Sequence, residues 1–170
     1  SNDLQWATIS SGASSINDLS DAKTFGTNSI MIGDATTGTI DAANNNTGVG
    51  IDVFAALTSG DDNTAIGKGA LTANTTGGSN VAVGSIALDA NTTGVSNTAV
   101  GKGALSTATT ASSNTAMGAN ALNACTTGAT NTAVGSGAGE SITTGQRNVF
   151  VGIEAGATMT TGQENCYVGR

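Results

Sequence analysis

The sequence predicts an all-β fold, a parallel β-solenoid (β-roll) of about nine seventeen-residue turns. Three observations predict it. Glycine recurs at a fixed spacing, every one of those glycines follows an aliphatic residue or methionine, and no stretch carries a helical period or a helix-capping pattern.

The glycines are Gly33, Gly50, Gly67, Gly84, Gly101, Gly118, Gly135, Gly152 and Gly169. The residues before them, Ile32, Val49, Ile66, Val83, Val100, Met117, Val134, Val151 and Val168, form a column that the pattern assigns to the core. Four places before a glycine stands an asparagine in eight repeats: Asn46, Asn63, Asn80, Asn97, Asn114, Asn131, Asn148 and Asn165. This Asn ladder is read as structural, because Asn tolerates turn conformations and its amide can bond to the copies above and below. Three places after the glycine come Ala70, Ala87, Ala104, Ala121, Ala138 and Ala155, with Leu71, Leu88, Leu105 and Leu122 following four of them. A Thr-Thr-Gly turn closes most units, as in Thr75, Thr76 and Gly77. The consensus N-T-A-V-G-x-x-A-L-x-x-x-T-T-G-x-x thus holds two short β-compatible stretches between turn signals. Stacked turns would lie ~4.8 Å apart and make a rod rather than a globule.

Alternation along the strand puts Thr64 and Ile66 on one side and Ala65 on the other. Thr64 shares its column with Val81, Val149 and Cys166, whose similar sizes point to an inward position. The stripe Ala65, Ala82, Ala99, Ala116 and Ala133 is then expected outside, flat enough for the close approach of a second copy. One turn alone cannot offset the entropy of ordering itself, so burial of this stripe between chains predicts a homotrimer, with the stripe facing its partners. Phe150 and Tyr167 replace Ala in the same column and read as a wider packing region there.

Residues 1–28 lack the repeat, contain Trp6 and Phe25, and are expected to cap the solenoid or connect it to something before it, with the solenoid running over residues 29–170. Ser1 is not Met and Arg170 directly follows a repeat glycine, which implies a segment of a longer chain.

Composition narrows the function. The chain has a net charge of −7 with only five Lys and Arg, which excludes a phosphate-reading surface and argues against anionic membranes. No apolar run reaches the ~20 residues of a membrane-spanning helix, so membrane insertion is not expected. There is no His, and the carboxylates do not form a catalytic pair: Asp52 and Glu154 share a column six turns apart. An enzyme is not predicted, and no cofactor is implied. Asp61 and Asp62 fall in the columns of Asn44 and Asn45, where a weak cation site competes with the simpler reading of solvated turn charges. Cys125 and Cys166 lie in different columns, too far apart for a disulfide within the chain. The Thr pairs are read as turn edges, with at most one exposed column between them.

The unit N-T-A-V-G-x-x-A resembles the head repeats of trimeric autotransporter adhesins, a resemblance that covers roughly residues 29–170. The longer unit, with the leading stretch from Ile16 to Asp21, is more similar to repeat regions of bacteriophage tail fibres. Both resemblances imply an elongated trimeric fibre, located in a virion or at a cell surface, that carries or forms a host-recognition element. The expected function is therefore a structural segment of such a fibre. The alternative is a surface adhesin whose solenoid face binds host glycans or matrix proteins.

Overall fold

The computed structural model describes residues 22–25, 28–33 and 42–169. Trp6 and the leader from Ile16 to Asp21 lie outside the described residues. Among the described residues there is no helix, and ten strands form one sheet in chain order: β1 (Ala22–Phe25), β2 (Ser29–Ile32), β3 (Thr47–Val49), β4 (Thr64–Ile66), β5 (Val81–Val83), β6 (Thr98–Val100), β7 (Thr115–Met117), β8 (Thr132–Val134), β9 (Val149–Val151) and β10 (Cys166–Val168). From β2 to β10 every pairing is parallel and in the register of the repeat, as in Thr64 beside Val81 and Ala65 beside Ala82. Nine parallel strands bound about eight turns, so the chain is the expected β-solenoid. At ~4.8 Å per step it rises ~40 Å. β1 runs antiparallel to β2 and pairs with the sheet's first edge, which a parallel stack would otherwise leave open.

Each turn contains one strand, of three residues in β3 to β10 and four in β2, and not the two that the consensus suggested. The second apolar stretch cannot extend, because Leu71, Leu88, Leu105 and Leu122 sit in the left-handed region at φ between 51 and 53°. Their N–H groups still bond to the following turn, Leu71 to the Ala87 carbonyl at 3.1 Å and Leu88 to that of Ala104 at 3.1 Å. The ladder therefore continues around the coil in turn conformations. The repeat glycines are required by the corner after each strand. They hold φ between 118 and 142°, and from Gly33 to Gly152 a Cβ would come within 3.0 Å of the backbone of the next turn.

The faces of the strand are the reverse of the expected ones. Ala65, Ala82, Ala99, Ala116 and Ala133, predicted to face partner chains, are fully buried inside the coil. The column predicted as core lies outside, with Ile66 41% and Met117 45% exposed. The cause is the width of the coil. The Ala column faces the Ala70 and Leu71 columns across a space a few side chains wide, and a β-branched residue on the inner face of every strand would not fit beside Leu. Phe150, expected outside with Tyr167, is likewise buried, and the two rings stack at 5.9 Å and 18°.

Candidate interaction face

Two ladders of side chains fix the interior. Asn63 donates from its backbone N–H and from Nδ2 to Asn46 Oδ1, at 2.9 and 3.0 Å, and from Nδ2 to the Gly77 carbonyl at 2.9 Å. Asn80, Asn97, Asn114, Asn131 and Asn148 repeat this set, and the row starts at Ser29, whose hydroxyl accepts from the Asn46 N–H at 2.9 Å. Because these Asn residues are buried and committed to the stack, they present no ligand stripe. A shorter ladder joins Asn91 Nδ2 to Asn74 Oδ1 at 3.0 Å and ends there, since Asn91 Oδ1 is buried without a partner.

The Thr columns divide as alternation requires. Thr75, Thr92 and Thr143 are half-buried and donate their hydroxyls to the next turn's carbonyl at 2.9, 3.0 and 3.0 Å. Thr76, Thr93, Thr110, Thr127 and Thr144 are exposed along one corner.

The charged groups are spread over the turns. Asp61 Oδ1 accepts from the Asn44 N–H at 2.7 Å, and Asp62 Oδ1 accepts from Asn45 Nδ2 at 3.0 Å, so both carboxylates are engaged by the preceding turn. Among the described residues no three His, Cys, Asp or Glu side chains converge where a metal ion could be held. Arg147 pairs with Glu164 one turn on at 3.2 Å, on the exposed surface. Partial burial pushes the Asp89 carboxyl above its ordinary range, against the pull of the Ala90 and Asp89 N–H groups. Burial also pushes the Cys125 thiol up to about 11, whereas Cys166 lies exposed on the outer face of β10, and both are free.

What remains is the outer face of β2–β10. Its two columns run from Ile30 to Cys166 and from Ile32 to Val168 at seventeen-residue steps. Every residue in them is aliphatic, Thr, Met or Cys, and each is half-buried or exposed. Sequence reasoning found both columns and turned them inward. The signal that identifies the inner face is the Asn ladder. Asn63 stands two residues before Ala65, on the same side of the strand, and eight stacked amides hold together best where water cannot compete for them.

No family model matches the chain, and neither the curated proteins nor the solved structures give a match.

Proposed function

We propose that the chain is a structural segment of an elongated homotrimeric fibre, of the phage tail-fibre kind, that extends or presents a host-recognition element. The observation that carries this reading is the self-propagating stack. Every turn offers the next the same Asn acceptor, the same backbone ladder and the same glycine corner, so added repeats lengthen the rod without any new part. Such a design supplies reach and stiffness. It also leaves the outer face of the sheet uncharged along its length, an aliphatic column beside a Thr-rich one, which suits association with other copies. The test is the mass and shape of the chain in solution. Light scattering should give three times 16.3 kDa, and small-angle scattering should give a rod. A compact or monomeric particle at all concentrations rejects the trimeric fibre.

A second reading, an adhesin that binds glycans or matrix proteins on the solenoid surface, draws on the exposed Thr corner from Thr76 to Thr144, a regular row of hydroxyls. A glycan array distinguishes it. Binding that is lost on Thr93→Ala and Thr110→Ala supports the adhesin, and an array without signal removes it.

A further inference from the structure

The sequence holds three Asn-x-Thr motifs, Asn45-Asn46-Thr47, Asn74-Thr75-Thr76 and Asn91-Thr92-Thr93, the acceptor pattern for an N-linked glycan. Such a motif is ordinarily a surface feature, because the sugar it receives is bulky and hydrated. The fold divides the three. Asn74 and Asn91 are fully buried in the shorter amide ladder, whereas Asn45 is exposed at a turn, with φ 57°.

The transfer joins an Asn Nδ2 to the anomeric carbon of an oligosaccharide activated as its diphosphate ester. The bond from that carbon to the diphosphate oxygen breaks, the diphosphate leaves with the electron pair, and the amide nitrogen gives up one proton. What remains is a nitrogen with one hydrogen and a sugar ring. At Asn91 both amide hydrogens are already committed, to Asn74 Oδ1 at 3.0 Å and to the Gly94 carbonyl at 3.1 Å. At Asn74, Nδ2 donates to the Gly77 carbonyl at 2.9 Å. Room is the sharper limit. A Cβ at Gly77 would lie 2.5 Å from Asn74 Oδ1 and 2.8 Å from Asn91 Nδ2, so the space beside these amides does not admit a methyl group, far less a sugar. A glycan on either residue has to leave the coil, which takes the amide out of the ladder and opens a turn on which the neighbouring turns depend. At Asn45 the loss is at most one exposed bond, from Nδ2 to Asp62 Oδ1 at 3.0 Å.

In an unfolded chain no turn has closed, and all three motifs are equally open to transfer. We infer that Asn45 is a site at which the finished solenoid can carry an N-linked glycan, that a glycan on Asn74 or Asn91 prevents the solenoid from closing, and that the chain therefore folds where unfolded chains are not N-glycosylated. The inference is independent of how many copies form the fibre.

The experiment produces the intact chain and the double variant Thr76→Ala with Thr93→Ala, each in a bacterial cytoplasm and, behind a secretion signal, in a eukaryotic cell. The two substitutions remove the buried motifs at exposed threonines and leave both Asn residues in place. Glycan occupancy is read by mass spectrometry before and after enzymatic deglycosylation, and folding by protease resistance and circular dichroism. From the cytoplasm both chains are expected to be β-rich and resistant. From the secretory route the parent is expected to carry glycans on Asn74 and Asn91 and to lose its resistant fraction, while the double variant keeps that fraction and carries a glycan on Asn45 alone. Resistant chains with a glycan on Asn74 or Asn91 overturn the proposal. So does a secreted parent that folds with both of these amides bare, because folding then outruns transfer, and so does an Asn45 glycan found only on unfolded double variant. Should the double variant fail to fold in the cytoplasm, the secreted parent decides, since the occupancy of Asn74 and Asn91 in its resistant fraction is read without any substitution.

Discussion

The middle turns and the turn carrying Phe150 run the same backbone around different interiors. From Ala65 to Ala116 each strand places Ala inside and the same turn supplies Leu at Leu71, Leu88, Leu105 and Leu122. At Phe150 the pair is inverted. The strand supplies a large ring, and the Leu positions before and after it are Gly139 and Gly156, where a Cβ would come under 3.0 Å from that ring. The first full turn shows a third solution, with Gly48 on the strand and Phe54 in the Leu column. The interior is therefore specified by summed volume across two facing columns and not by residue identity. The Asn ladder, by contrast, does not change between these regions: Asn148 bonds to Asn131 just as Asn97 bonds to Asn80.

Breaking the invariant part should cost most. Asn97→Ala leaves the Asn114 N–H and the Ala111 carbonyl buried without the partners they have now, at 3.0 and 2.7 Å. At about 1–3 kcal/mol for each orphaned group, the expected loss is about 4 kcal/mol, read from the urea midpoint. Asn165→Ala, on the last strand and only half-buried, should cost no more than about 1 kcal/mol, since Asn148 Oδ1 keeps the Asn165 N–H at 3.0 Å. Equal losses at the two sites would mean that the ladder is not what holds the middle turns.

Moving the variable part tests the volume rule. Ala99→Phe puts a ring between Leu88 and Leu105 and should cost about 3 kcal/mol through overpacking. Adding Leu88→Gly and Leu105→Gly reproduces the surroundings of Phe150 and should recover most of that loss, helped because glycine relieves the left-handed strain at φ 51 and 52°. A triple variant no more stable than Ala99→Phe alone would show that the two columns do not trade volume.

The repeat, the turn chemistry and the solenoid were legible in the sequence because glycine spacing reports a backbone requirement, and the backbone of one turn is the template of the next. The direction of the strand's faces was not. Hydrophobicity ranks Ile66 above Ala65 for burial, and a one-residue error in the pleat inverts the whole surface. The deciding quantity is the width of the coil, which no single repeat states. It is written only in the exchange between repeats, where Gly48 accompanies Phe54 and Phe150 accompanies Gly156. The left-handed Leu residues were hidden for a similar reason, since a Leu with φ near 52° goes against propensity and is held there by the stack around it.

A second exchange, smaller in volume, gives the smallest expected effect. The column that holds Asn74 and Asn91 continues as Ala108, and three residues after each stand Gly77, Gly94 and Ala111. The last of these is the departure. A Cβ at Gly77 would meet the Gly94 carbonyl and Asn74 Oδ1, and one at Gly94 the Ala111 carbonyl and Asn91 Oδ1, so glycine here answers both to the backbone of the next turn and to the amide beside it; Ala111 stands beside the small Ala108. The ladder consequently stops one turn early, and Asn91 Oδ1 is left buried and unpaired. Ala108→Asn alone should destabilise, because the introduced amide meets the Ala111 methyl. Ala111→Gly alone should cost about 1 kcal/mol in backbone entropy and lost packing. Together they should let the introduced amide donate to Asn91 Oδ1 while its own Oδ1 becomes the unpaired end of the ladder, giving a chain about as stable as the parent and a coupling of more than about 1 kcal/mol in a double-mutant cycle. Additive losses would mean that Asn91 Oδ1 is already satisfied by water, and that the exchange between Ala108 and Ala111 reflects packing alone.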